Sequence, residues 1–514
     1  MWLEIEVLTP VHVGTGELLS SLEYSVNGRQ IRVADLGRLF RQEPARAEAI
    51  GQRLAAANPA ALRGMTLDSL LTRQELANES LWRYRLPGSD VTLAALAGAR
   101  GREHEVRLAS KTPDGRAYLP GTAIKGAFRT ALIFAWSAAS PEWARRLLEQ
   151  PNPGVANKEV QQVLYGARQD PNHDLLRALA IGDTSGVPPS EALQLAQERV
   201  LSARIRADRS CGDGDDEYKA FLVFLECLKP GERLAASVRI LGHLLDVRNT
   251  RVLEWSERQR ALTPQTLCDA ANRMSAEVCT WELDYFGLVR GRDCSGVIQF
   301  YRDLQAKLAT PPANVAYLCL GRGAGWHKLT PGILVARYLT GSAFVEFRKK
   351  YGLAAFGRFD RLAFAFPKSR KVIAEGDRAA WPLGWVRMAF SDTEPVRPQA
   401  VVPPRPQQAP PQSLPDLSQE PQAPAAPIMT PEMEAEPPKR SAQAEAVEGT
   451  IRTLKAHEVS GWLQAIAAEI GRCPAEERAG LVRGLRERMT QLGFRPREIR
   501  EMLGRYPQLG GEEE

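Results

Sequence analysis

Three loops rich in glycine and basic residues punctuate the first 390 residues, and they restrict the possible folds more than any other feature of the chain. They read Thr9-Pro-Val-His-Val-Gly-Thr-Gly-Glu17, Leu119-Pro-Gly-Thr-Ala-Ile-Lys-Gly-Ala-Phe-Arg129 and Leu320-Gly-Arg-Gly-Ala-Gly-Trp-His-Lys328. Two follow a strand-like run and the second leads into a helix-like one, so the body must interleave strands with helices. Leu3, Ile5 and Val7 alternate with Glu4 and Glu6, the period of a strand with one wet face. A short strand at 31–33 enters a helix expected over 35–53, with Asp35 as its N-cap. Residues 45–80 read helical, and 127–136 continues the second loop as an apolar helix. Further strands are expected at 176–181, 200–207, 218–228, 234–241 and 316–320, and further helices over 189–199 and 264–276. The fold class is therefore α+β.

The composition changes near residue 392. From Pro395 to Pro438 there are 14 prolines and neither an aromatic residue nor a glycine. Such a stretch cannot bury enough apolar surface to fold, and proline stiffens it toward an extended chain. Helical periodicity returns at 447–470, 474–492 and 495–505. The 11 Lys and Arg against 12 Asp and Glu from residue 441 onward suit a protein contact better than an RNA clamp. The expected division is 1–240, 241–392, a proline-rich disordered linker over 393–444, and a small helical module over 445–514.

A net charge of +6 over 514 residues is only mildly basic and does not by itself call for nucleic acid. The distribution says more. Arg100, Arg102, Arg107, Lys111, Arg116, Lys125 and Arg129 form one basic run, and Arg348, Lys349, Lys350, Arg358, Arg361, Lys368, Arg370 and Lys371 form another. The seven scattered cysteines show neither short zinc-ligand spacing nor a closed disulfide framework, so reduced, mostly buried thiols are expected. There is no leader pattern and no apolar run of about 18–20 residues, the length of a membrane span, so a cytoplasmic protein without membrane contact is expected.

Each loop offers bare backbone N–H groups beside cationic or aromatic side chains, which suits a phosphodiester backbone with stacked bases. In the second, Pro120 and Gly121 make a turn, Thr122 can cap the helix, and Lys125 and Arg129 stand one turn apart near its positive end. The third lacks the GK[ST] ending of a P-loop and fails GxGxxG at Trp326, which disfavours a nucleotide cofactor and leaves Arg322, Trp326, His327 and Lys328 for RNA. His12 could serve as a general base, but a lone loop histidine is more often a packing residue. The acidic run Cys211-Gly-Asp-Gly-Asp-Asp-Glu217 misses the EF-hand register, and Asp183 reads as a cap or turn residue. No cofactor and no metal are expected.

Five ordered motifs together resemble the RAMP proteins of CRISPR systems. They are the opening 8–17 with Leu22-Glu-Tyr24, the segment 118–132, the loop 320–326, Phe366-Pro-Lys-Ser-Arg370 and Pro382-Leu-Gly-Trp-Val386. The branch they are most similar to is the fifth subunit of type III-A Csm effector complexes. The resemblance covers roughly residues 1–390. It implies two ferredoxin-like (RRM-like) domains with helical insertions, a place at the head of the guide filament, and a non-catalytic part in crRNA 3′-end maturation. It implies crRNA, target RNA, the neighbouring backbone RAMP subunit and other type III subunits as partners, and a maturation nuclease as a further one. The expected RNA contacts are His12, Gly14, Gly16, Lys111, Gly121, Thr122, Lys125, Arg129, Gly321, Arg322, Gly323, Gly325, Trp326, His327 and Lys328. The rival readings are a metal-independent RAMP endoribonuclease with His12 as base, and the capping subunit of a type III-B complex.

Overall fold

A computed structural model describes residues 1–99, 104–138, 141–165, 170–206, 210, 216–353 and 364–395, with parts of 447–503. Arg100, Arg102, Arg358 and Arg361 of the basic runs, the acidic residues up to Asp215, and nearly all of the expected linker lie outside the described residues. The chain divides into two compact units, Met1–Arg405 and Pro406–Glu514.

In the first unit β1 (Trp2–Val7) has the expected alternation, with Leu3, Ile5 and Val7 buried between half-buried Trp2, Glu4 and Glu6. That apolar face places β1 at the centre of a five-stranded sheet. Its neighbours on one side are β11 (Arg233–Ile240) and β7 (Leu179–Thr184); on the other they are β15 (Trp385–Ser391) and β12 (Val315–Cys319). All pairings are antiparallel, with Ile5 opposite Leu234 on one side and Met388 on the other. Helix α1 (Gly121–Ser137) packs on β7, helix α2 (Pro264–Gly287) packs on β12, and the two helices pack on each other. Phe128 of α1 meets Phe390 of β15 with ring centres 6.0 Å apart.

A second, seven-stranded sheet runs β14 (Arg378–Pro382), β13 (Ser369–Glu375), β8 (Leu193–Ser202), β10 (Val223–Leu228), β6 (Val106–Ala109) and β2 (Gly14–Leu19), with the short β9 (Glu217–Tyr218) on β8. Only β10 and β6 are parallel. A small sheet of β3 (Tyr24–Asn27), β4 (Gln30–Ala34) and β5 (Trp82–Pro87) completes the set. Helix α3 (Ser295–Ala309) packs on β14. Strands from both sides of residue 240 share each of the two larger sheets, because β15 and β12 flank β1 in one while β13 and β14 extend β8 in the other. In the second unit, helices at Ala475–Gln491 and Pro496–Leu503 bury Leu485, Met489 and Leu503 with Ile466 and Ile470.

Three local expectations are corrected. The helix over 189–199 is instead a four-residue turn, Pro189–Ala192, followed by strand β8. Gln, Leu, Ala and Glu favour a helix in isolation, but β8 is paired on both sides, and that tertiary demand outweighs propensity. The helix over 35–53 breaks at Glu43 into Leu36–Gln42 and Pro44–Ala56, since Pro44 cannot donate within a helix but suits its first position. Asp35 does cap the first piece, accepting the Arg38 N–H. The later half of the first loop is not a loop: residues 14–19 form edge strand β2, irregularly paired to β6.

Candidate nucleic-acid interface

Loops one and three come from opposite ends of the first unit and lie side by side. The His12 carbonyl accepts the Arg322 N–H at 3.0 Å, and the Pro10 carbonyl accepts the Gly384 N–H at 2.9 Å. The Leu320 N–H donates to the Gly384 carbonyl at 2.7 Å, and the Trp385 N–H to the Thr9 hydroxyl at 3.0 Å. Gly321 makes this possible: its φ is +67°, and a Cβ there would stand 2.2 Å from the His12 oxygen. The glycine serves approach of one loop to another, not approach of a ligand.

The cations in and around the three loops are drawn inward by buried or half-buried carboxylates. Arg322 forks onto Glu198 of β8, with Nε 2.7 Å from one oxygen and Nη2 2.9 Å from the other. Lys111 pairs with Glu226 of β10, which also accepts the Tyr84 hydroxyl at 2.6 Å and the Ala109 N–H at 2.9 Å. Arg129 donates to Asp174 at 2.6 Å and to Gln161 at 2.7 Å. Glu282 of α2 has the densest set: it accepts from His327, from Arg370 Nε at 2.8 Å, and lies 3.4 Å from Lys328 Nζ, which also reaches the Tyr301 hydroxyl at 3.2 Å.

Burial alone would raise the Glu282 carboxyl, but Arg370, Lys328 and His327 outweigh it and hold it well below the usual carboxylate range. Burial pushes His327 down to about 4, with Arg370 and Lys328 adding to the effect against the opposing pull of Glu282. His327 is therefore neutral near pH 7. The expectation that Lys328 and His327 face RNA is thus corrected: both are more than nine-tenths buried and committed to Glu282. A charge inside a protein needs a partner more than it attracts a ligand. Trp326 likewise packs edge-on against Phe366 at 4.8 Å, half-buried. His12 is 5% exposed, with Nδ1 2.8 Å from the Glu226 carbonyl, and burial lowers its pKa. It is a packing histidine that ties loop one to β10.

Loop two keeps more of its surface. Thr122 does not cap α1; the Gly121 N–H donates instead to Asp183 Oδ1 at 2.8 Å, so a carboxylate from β7 fills the place where an outside anion was expected. Beyond it Thr122 and Gly126 are exposed and Lys125 is half-buried, its pKa lowered by burial. Among the described residues Lys125 belongs to no ion pair. Gly14 and Gly16 are exposed on β2, while Gly323 is half-buried against Leu383 and Gly325 is open. Among the described residues no three His, Cys, Asp or Glu side chains gather to hold a metal, and the six described cysteines are buried and unpaired.

The residues that organise the site, Glu198, Glu226, Glu282 and Arg370, were not among those expected from the sequence. A signal existed: Glu226 sits in Val-Phe-Leu-Glu-Cys-Leu, an apolar strand with one acid, and such an acid is almost never fully buried unless paired.

Residues 4–245 match the family model described as the RAMP superfamily. The chain is 25% identical over 296 residues to "CRISPR system Cms protein Csm5" of Mycobacterium tuberculosis (strain CDC 1551 / Oshkosh), covering 52% of this chain and 72% of that protein. It is 24% identical over 205 residues to the protein of the same name from Streptococcus thermophilus, covering 39% of this chain and 56% of the relative. These similarities together support a Csm5-like RAMP protein. One chain of the "Cryo-EM structure of Csm-crRNA-target RNA ternary complex in type III-A CRISPR-Cas system" matches with a TM-score of 0.52 at 20% identity, over 75% of this chain and 99% of that one. The T. onnurineus Csm5 crystal structure matches with a TM-score of 0.50 at 18% identity, over 74% and 99%. At these identities both establish the fold of the Csm5-like body. Loops one and two fall within the residues that match the family model, and loop three lies beyond them. No helix among the described residues is long and apolar enough to cross a membrane.

Proposed function

We propose that this Csm5-like chain is a non-catalytic RNA-binding subunit of a cytoplasmic type III-A effector complex, seated at the head of the guide filament, where it caps the crRNA 3′ end. The observation that carries the reading is the closure of loop three onto loop one through the Arg322–His12 hydrogen bond, which joins the two ends of the RAMP body into one surface. Exposed Gly14 and Gly16 on β2 and Gly325 on loop three lie on these two loops, and exposed Thr122 and Gly126 beside Lys125 offer a second contact at the start of α1. The backbone of such a surface suits phosphates, and the few free cations suit an RNA also held by other subunits. Two ferredoxin-like domains, each drawing strands from both sides of residue 240, would supply the loops, and the helical module at 445–514 would contact another subunit or a maturation nuclease.

Co-expression with the genomic neighbours, pull-down of the tagged chain and sizing of the bound RNA tests the reading. Guide-length RNA accompanied by other RAMP subunits is the expected result, and it should persist when residues 395–514 are deleted. Clean protein without RNA or partners would sink the proposal.

A further inference from the structure

The seven-stranded sheet has a second face, away from the main core, and its register shows which residues share it. Trp381 on β14 stands opposite Ile373 on β13, and Ile373 stands opposite Glu198 on β8. Lys371 is two residues back along β13 and so on the same side; Arg107 of β6, paired with Leu225 of β10, is on that side as well. Beneath them Ala196, Leu225, Cys227, Ile373 and Leu383 form a small apolar cluster of their own. A bulge after Ile373 pairs Ala374 with Ala379, which keeps Ala379 in the main core while Trp381 faces out, 40% exposed.

This face is short of partners. Among the described residues the Trp381 ring meets no other ring and no cation, and neither exposed Lys371 nor half-buried Arg107 forms an ion pair. The acids on the same face are engaged elsewhere: Glu198 is forked by Arg322, and Glu375 accepts the Ser89 hydroxyl at 2.6 Å. What cover Lys371 has lowers its pKa, and Arg322 and Arg107 nearby add to this against Glu198, so the cations here crowd one another. An exposed indole beside uncompensated cations suits a nucleic-acid strand, which offers a π-face at every base and a negative charge at every linkage.

We propose that this face is a stacking platform for single-stranded RNA, with a base on the Trp381 ring and the ribose-phosphate chain running from there toward Lys371 and Arg107. The inference rests on the RNA-binding reading above. It adds a contact apart from the three glycine loops, made chiefly with a base, where the loops offer backbone groups to phosphates. From β14 to β6 the sheet crosses four strand spacings, about 19 Å, which is room for several nucleotides. Stacking reads no hydrogen-bond pattern, so the platform accepts any base.

Filter binding of the full chain to a short single-stranded RNA of mixed sequence, and to an abasic RNA of the same length, tests the proposal. Trp381→Ala should weaken binding of the mixed RNA about fivefold or more, and Trp381→Phe should recover most of the loss. The slope of log affinity against log salt should be unchanged in Trp381→Ala and should shrink by about one unit in Lys371→Met. On the abasic RNA the Trp381→Ala penalty should vanish, which general damage to the fold would not produce. A penalty that persists on abasic RNA, or none on either RNA, would overturn the platform and leave the RNA reading in place. A wild type that binds neither RNA would fail the reading itself, and the platform with it. Unchanged RNA affinity in Trp381→Ala, with another subunit lost from the pull-down, would give the face to a protein.

Discussion

Loops two and three contain the same ingredients, a glycine turn with a lysine and an arginine close by, and dispose of them in opposite ways. In loop three Lys328 points inward to Glu282 and Tyr301, and Arg322 forks onto Glu198. In loop two the helix start is closed by Asp183 and Arg129 is held by Asp174, but Lys125 has no carboxylate of its own among the described ion pairs. The difference lies in what stands behind each loop. Loop three is backed by α2 and β8, which bring acids into an apolar interior, and a buried acid captures the nearest cation. Lysine and arginine in a glycine loop thus mark either a ligand contact or a counter-charge, and the acid behind the loop decides which.

The largest test of that contrast is Glu282→Ala. It would strand Lys328 and Arg370 in the interior without their counter-ion, a loss of about 3–5 kcal/mol. Urea denaturation should show it, and loop three should then open to proteolysis while loop two stays protected. An unchanged midpoint would mean that the acid does not hold the loop.

Acid should attack the same cluster. Folded His327 takes a proton only near pH 4, whereas the unfolded chain takes it near 6.5. Between those values the unfolded state binds the extra proton, so stability falls as pH drops through the window, by on the order of 3 kcal/mol. Glu282, held well below its ordinary range, adds a loss in the same direction at lower pH. Denaturation midpoints of the wild type and His327→Gln at pH 7 and pH 4.5 check this: the variant should lose much less between the two, and equal losses would place the acid sensitivity elsewhere.

Arg322→Ala comes next, at about 2 kcal/mol, because Glu198 is 1% exposed at its side chain and would lose its bidentate partner. Arg322→Lys should recover only part, since an ammonium cannot reproduce the fork. If RNA affinity falls with stability unchanged, Arg322 belongs to the interface and the contrast between the loops breaks.

The sequence made some of this legible. The β1 alternation, the Asp35 cap and the helix after loop two were all readable, because each rests on local periodicity or a local hydrogen bond. Strand β8 was not: its helix-favouring residues are overruled by two neighbours that no local pattern announces. Nor could the site's charges be read from the loops alone. Lys111, Arg322 and Lys328 look alike as sequence, and their partners Glu226, Glu198 and Glu282 lie far off in the chain and meet them only after folding. Nor did the loops announce that the third would close onto the first, which only the hydrogen bond from Arg322 to His12 reveals.

The smallest expected effect is the most discriminating. Lys125→Ala removes a half-buried ammonium that pairs with no carboxylate among the described residues, so stability should stay within about 0.5 kcal/mol of the wild type. Burial lowers the pKa of that ammonium, yet a phosphate beside it would restore the preference for charge. RNA affinity should therefore fall a few-fold, and the slope of log affinity against log salt should shrink by about one unit, the mark of one lost phosphate contact. Filter binding of single-stranded RNA across a salt series measures both. A slope equal to that of the wild type would show that Lys125, like its counterpart in loop three, serves the fold alone, and the distinction between the two loops would vanish.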